Sequence, residues 1–287
     1  MLGWMYILIS SSFYGFSNAF WKKAIQNVSF LQVIIARGIY TTSFFGLCYW
    51  IDGEWGIFQP WLGEMPDFSL VQLALSVGLC FFSAFGLYFF VQALKSESVS
   101  LVAPISTINL FGLLTAVFIL GESWTFSYSL ATIFIVVGIL LIFYRTVEFR
   151  LIDFFLKALK GGILTSFFWG VSYTLFKFPI SWLGVIPFSF LLELCVTICA
   201  GMIFIFQNQE WERIPQQPVL ILAICLILGS VCMHIAYQTA SVSQIIFISK
   251  AQLIFTLIYG QFLYKEKRSF IQWVGILFLV FAIYIVT

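Results

Sequence analysis

Charged residues, prolines and polar clusters recur along the chain at intervals that leave long apolar runs between them. Cutting at those breaks gives ten segments: 3–22, 30–50, 70–92, 99–120, 126–144, 158–177, 184–206, 218–238, 243–263 and 269–286. Each is close to the ~20 mostly apolar residues that a helix needs to cross a bilayer. The connections are short except for 51–69, "IDGEWGIFQPWLGEMPDFS". That loop holds four carboxylates, no Lys or Arg, and Trp55 and Trp61 to sit at the membrane interface. The pattern predicts an all-α membrane protein of ten transmembrane helices.

Composition agrees. The chain is 62% hydrophobic and 9% charged, with mean hydropathy +1.04, whereas a soluble domain carries about 25% charged residues. There are too few charges to coat a surface facing water. A net charge of +2 and the lack of a dense basic run exclude a nucleic-acid partner. The cysteines (Cys48, Cys80, Cys195, Cys199, Cys225, Cys232) form no C-x-x-C, and His234 is the single histidine, so neither a metal site nor a cofactor is expected. The first segment starts at once, without the basic leader and cleavage site of a signal peptide, and is expected to stay in the mature protein.

The chain also repeats itself. "FYGFSNAFWKK" at 13–23 is echoed by "FWGVSYTLFKF" at 168–178. A shift of 144 places Glu122 on Glu266 and pairs Phe111/Phe255, Leu113/Leu257, Phe118/Phe262, Phe126/Phe270, Val136/Val280 and Ile139/Ile283. Small residues coincide as well (Ala116/Gly260, Ala131/Gly275, Gly138/Ala282), as close helix approach requires. The reading is two halves of five helices, 1–146 and 147–287. Five is odd, so the second half enters the membrane upside down, giving two inverted repeats around a central cavity.

Loop charges bear on orientation. The connections 1–2, 3–4, 5–6, 7–8 and 9–10 hold Lys22, Lys23, Lys95, Arg145, Arg150, Lys157, Lys160, Arg213, Lys265, Lys267 and Arg268, against Lys177 alone on the other side. The positive-inside rule then places both termini, and the acidic 51–69 loop, outside the cytoplasm. A cell (inner or plasma) membrane is the expected location.

Three ionisable residues fall near the middle of spans: Arg37, Glu193 and Lys250; His234 lies toward the end of another. A lysine at the centre of a membrane helix costs about 2.5–3.5 kcal/mol to insert, so such residues mark functional sites by default. One reading is structural, with Glu193 paired to Lys250 or Arg37. That leaves one positive charge over, which a substrate carboxylate or phosphate would complete, through Arg37 as a bidentate contact and Lys250 as a point charge. Glu193 is also a candidate for binding a substrate ammonium or, with His234, for carrying a coupling proton; titration of Lys250 itself is a further option. Under the 144 shift Lys250 takes the place of Ser106, so it breaks the symmetry of the repeats. Further lining candidates are Ser17, Asn18, Trp169, Tyr173, Asn109, Gln92 and Gln238, each equally suited to interhelical hydrogen bonds.

These features resemble the drug/metabolite transporter superfamily, in particular its EamA-like ten-helix carriers. The resemblance rests on the "YG" and "WG" openings of helices 1 and 6 with their following lysines, Arg37 in "IIARGIY", "VQALKSESVSLVAPIS" at 92–107, and "LGES" closing helix 4. It covers nearly the whole chain. It implies a solute carrier with its cavity between the repeats, and it implies cytoplasmic termini, opposite to the loop charges. The second half departs from it, with "YKEK" in place of "LGES", no counterpart of Pro104, and Glu193 where helix 2 has Arg37.

A secondary transporter of a small anionic or zwitterionic metabolite, such as an amino acid, follows as the leading reading. A nucleotide-sugar or sugar-phosphate exchanger and a quaternary-amine carrier are the alternatives. An intramembrane enzyme would have only a Ser/Lys dyad of Lys250 with Ser249 or Ser243 to work with. The partners expected are a small organic solute, the bilayer and a coupling proton, the protein acting as a monomer or homodimer.

Overall fold

A computed structural model describes residues 3–55, 68–96, 99–107, 110–143, 152–265 and 268–287. Within them the chain is helical throughout: α1 (Gly3–Ala24), α2 (Phe30–Trp55), α3 (Leu70–Ser96), α4 (Val99–Ser106), α5 (Leu110–Phe118), α6 (Phe126–Phe143), α7 (Ile152–Leu175), α8 (Lys177–Leu183), α9 (Val185–Phe206), α10 (Gln216–Thr239), α11 (Val242–Ile248), α12 (Ala251–Tyr264) and α13 (Phe270–Val286). Five described stretches are long and apolar enough to cross a membrane: Phe30–Glu54, Leu70–Lys95, Val185–Phe206, Gln216–Thr239 and the joined Val242–Tyr264. Most of the acidic loop, residues 56–67, lies outside the described residues, as do Asn109 and Glu266.

Among the described residues the expected spans are not all continuous. The expected spans 99–120 and 243–263 are each divided in two, and a short helix, α8, precedes α9. The 144-residue shift relates the two divided spans, so the interruption recurs in both halves.

That shift matches environment as well as residue type. Phe118 and Phe262 are 79% and 77% exposed, Phe126 and Phe270 are 83% and 82%, and Val136 and Val280 are 49% and 46%. Leu113 and Leu257 are both buried, and so are Ala131 and Gly275. Two helices that share a hydropathy period by chance need not share the same lipid-facing side.

Packing follows the same exchange of halves. α1 packs on α10 and α12, and correspondingly α7 packs on α3 and on α4 and α5. α2 packs on α9, and α6 on α13. Each of those last pairs joins equivalent helices, and both run antiparallel. Along α2, the hydrogen bonds of Ser29 and Gln32 reach Gln209 and Glu210, whereas Thr41 reaches back to Glu193. Along α6, the Phe134 ring lies tilted against those of Phe278 and Phe281, while Ile142 O accepts from Gln272.

Candidate functional site

The division of the fourth span has a cause in its sequence. Pro104 lies inside α4, where it has no N–H to give and its ring crowds the preceding turn. The helix stops two residues later, and the Ser106 and Thr107 hydroxyls both donate to Ala103 O at 2.9 Å. α11 has no proline. Its start is fixed by a capping box, Ser241 with Gln244. At its end the backbone tightens to i→i+3 bonds, Lys250 N to Phe247 O, Gln252 N to Ser249 O and Leu253 N to Lys250 O. A short 3₁₀ stretch inside a longer helix is a frequent hinge.

The two interruptions meet. Lys250 Nζ donates to Thr107 O at 2.5 Å, joining the interruption of one half to that of the other. Lys250 is 4% exposed, and among the described residues no carboxylate pairs with it. The Ser/Lys dyad does not assemble: the Ser249 hydroxyl donates to Ile246 O, and that of Ser243 goes to Glu122.

Glu193 is held elsewhere. Where α2 crosses α9, Arg37 forms an ion pair with Glu193, and the Thr41 hydroxyl donates to the same carboxylate at 2.8 Å. Arg37 and Glu193 are 2% and 5% exposed. Gly38 permits the approach, since a Cβ there would collide with the side chain of Thr197. The structural pairing therefore goes to Arg37, leaving Lys250 as the extra cation.

A cavity of about 130 Å³ opens among these groups. Lys250, Arg37, Glu193, Trp169, Tyr173, Asn18 and His234 all line it. Trp169 and Tyr173, one helical turn apart, stack with centroids 5.6 Å apart, and Trp169 Nε1 donates to Ser83 O. His234 meets Ser189 through Nδ1 at 2.7 Å and lies edge-on to Phe188, so its ring is fixed in the α9–α10 seam. Ser17 is buried but does not line the cavity. Gln92 and Gln238 are corrected outright: helical phase puts both on exposed faces.

Other cavity groups escaped the sequence reading. Tyr14, one turn before Asn18 on α1, bonds Ser230 at 2.9 Å. The Tyr237 hydroxyl donates to Tyr173 O at 2.6 Å. The spacing of Tyr14 and Asn18 was visible in "YGFSN", but which face of α1 points inward was not.

Glu122 does work that its repeat match did not reveal. Its carboxylate accepts from Val242 N at 2.9 Å and Ser243 N at 2.8 Å, at the N-terminus of α11. A carboxylate there satisfies orphan donors and suits the helix dipole. Glu122→Ala is expected to lower stability by about 1–2 kcal/mol, read from thermal unfolding of the purified protein in detergent. A midpoint equal to wild type would show that this cap contributes nothing.

Comparison with known proteins extends over the whole bundle. The model of the family described as "EamA-like transporter family" matches residues 1–144 and 156–287. Among solved structures, one described only as "Crystal structure of protein" superposes with a TM-score of 0.72 at 12% identity, covering 99% of this chain and 96% of that one. At that identity the likeness concerns the fold alone. No curated protein matches the chain.

Proposed function

The chain belongs to the EamA-like transporter family, and on that premise we propose that it carries a small anionic or zwitterionic metabolite by alternating access. It is a multi-pass membrane protein, and membership supports transport rather than catalysis. The proposed architecture is ten spans in two inverted repeats, 1–146 and 147–287. The antiparallel pairing of α2 with α9 and of α6 with α13 supports it.

One observation carries the reading. Interrupted helices occupy equivalent places in the two halves, and they touch through Lys250 and Thr107 inside a cavity that both halves line. Carriers built from inverted repeats place their sites at such discontinuities, where backbone groups are free to meet a solute. Rocking one half against the other would open that point first to one face of the membrane and then to the opposite face.

The test uses protein reconstituted in liposomes, with the native cysteines replaced and Ser249→Cys introduced. Alternating access predicts labelling by a membrane-impermeant maleimide from both faces, with the ratio shifted by a transported solute. Labelling from one face alone, whatever solute is present, would sink the proposal.

For orientation, the loop charges favour extracytoplasmic termini. A cysteine at Ser69 in whole cells is then expected to react without permeabilisation. Reaction only after permeabilisation would establish the opposite insertion.

A further inference from the structure

We propose that the cavity takes an organic anion with a single carboxylate on an apolar or aromatic body, held by the Lys250 ammonium and the Asn18 amide. This rests on the carrier reading and narrows its substrate. The charges decide first. Arg37 and Glu193 neutralise each other, with Thr41 on the same carboxylate. Lys250 remains as one buried cation whose three donors meet one carbonyl, Thr107 O. A buried ammonium left in that state is costly unless a counter-ion joins it.

Hydrogen-bonding capacity points the same way. Among the cavity-lining residues, the buried side-chain atoms without a partner are Asn18 Nδ2 and Arg37 Nε, both donors. Asn18 is 6% exposed. Spare donors beside a buried ammonium call for a ligand that accepts, and a carboxylate offers about four lone-pair sites.

The remaining lining sets the body of the ligand. Trp169 and Tyr173 present stacked rings beside Phe176, Leu192 and Met233. The Trp169 N–H is already engaged with Ser83 O. This side of the cavity offers ring faces and methyl groups to the body of the ligand.

Two classes are thereby disfavoured. A phosphate monoester carries close to two charges, and Lys250 is the single lining cation without an ionic partner among the described residues. An amino acid would need a carboxylate for its ammonium, and the charge of the lining carboxylate, Glu193, is already paired with Arg37.

The experiment measures thermal-shift titrations of the purified protein at pH 7 with 3-phenylpyruvate, phenylacetate and hexanoate, against L-phenylalanine, phenethylamine and glucose 6-phosphate. At least one of the three carboxylates is expected to raise the midpoint, with L-phenylalanine at least about tenfold weaker and the last two without effect. A tenfold difference corresponds to about 1.4 kcal/mol. Lys250→Met is expected to abolish the shift while unfolding no earlier than wild type without ligand, and Lys250→Arg to restore part of the shift. The proposal is overturned if L-phenylalanine or glucose 6-phosphate matches the best carboxylate, if Lys250→Met still responds, or if none of the three carboxylates binds. Counterflow in liposomes separates the two readings. A carboxylate that binds without being exchanged leaves the ligand class standing and removes the carrier, whereas exchange of L-phenylalanine or glucose 6-phosphate without carboxylate binding does the reverse.

Discussion

Glu193→Leu is expected to destabilise the protein by about 3–5 kcal/mol, because it leaves the Arg37 guanidinium buried without its counter-ion. Arg37 is 2% exposed and already has one unpartnered nitrogen, Nε, and Glu193 is its one ionic partner among the described residues. The double variant Arg37→Met/Glu193→Leu should recover most of the loss, since removing both charges also removes their desolvation penalty. The measurement is thermal or denaturant unfolding in a fixed detergent for both single variants and the double variant. If the three losses are simply additive, the pair is not coupled and this account of the α2–α9 crossing is wrong. The double variant also bears on Lys250: with the neutral pair removed as a unit, carboxylate binding should persist.

A second large effect is expected where α6 and α13 cross. A Cβ on Gly275 would lie 2.6 Å from Gly138 O and 3.1 Å from Ile142 N, and one on Gly138 would lie 2.8 Å from Gly275 O. These neighbours are backbone, so no rotamer change can yield and the helices must part. Separation would also stretch the bond from Gln272 Nε2 to Ile142 O and pull the Phe134 ring from that of Phe278. Gly275→Val should therefore cost about 3 kcal/mol, the upper end of ordinary overpacking. Gly78→Val is the control, with nothing within 4 Å of its added Cβ. Equal midpoints for the two variants would show that the close approach is not needed.

How much of this the sequence showed depends on the kind of signal. Spans were legible because hydropathy is set residue by residue, and the repeat was legible because Phe118/Phe262 and Gly138/Ala282 preserve size and side. Buried charges were legible because a membrane leaves so few that each stands out. The division of 243–263 was not, because a shift to i→i+3 bonding needs no proline and leaves no compositional mark. Partner choice was hidden too. Arg37 and Lys250 were equal claimants for Glu193, and only the antiparallel register of α2 on α9 decides between them. Gln92 and Gln238 were misplaced because polarity says nothing about which side of a helix faces inward.

The crossing of α2 and α9 has a consequence for how such a chain came to carry charge at its centre. Two identical subunits joined by a twofold axis confront each residue near that axis with its own copy. An arginine at the Arg37 position would then face an arginine, and a lysine at the Lys250 position would be doubled. Joining the halves in one chain frees them to differ. Arg37 now meets Glu193 in the corresponding place, and Lys250 stands against a half that has Ser106 there. A single lysine opposite a serine is an arrangement that two identical copies related by a twofold axis cannot hold.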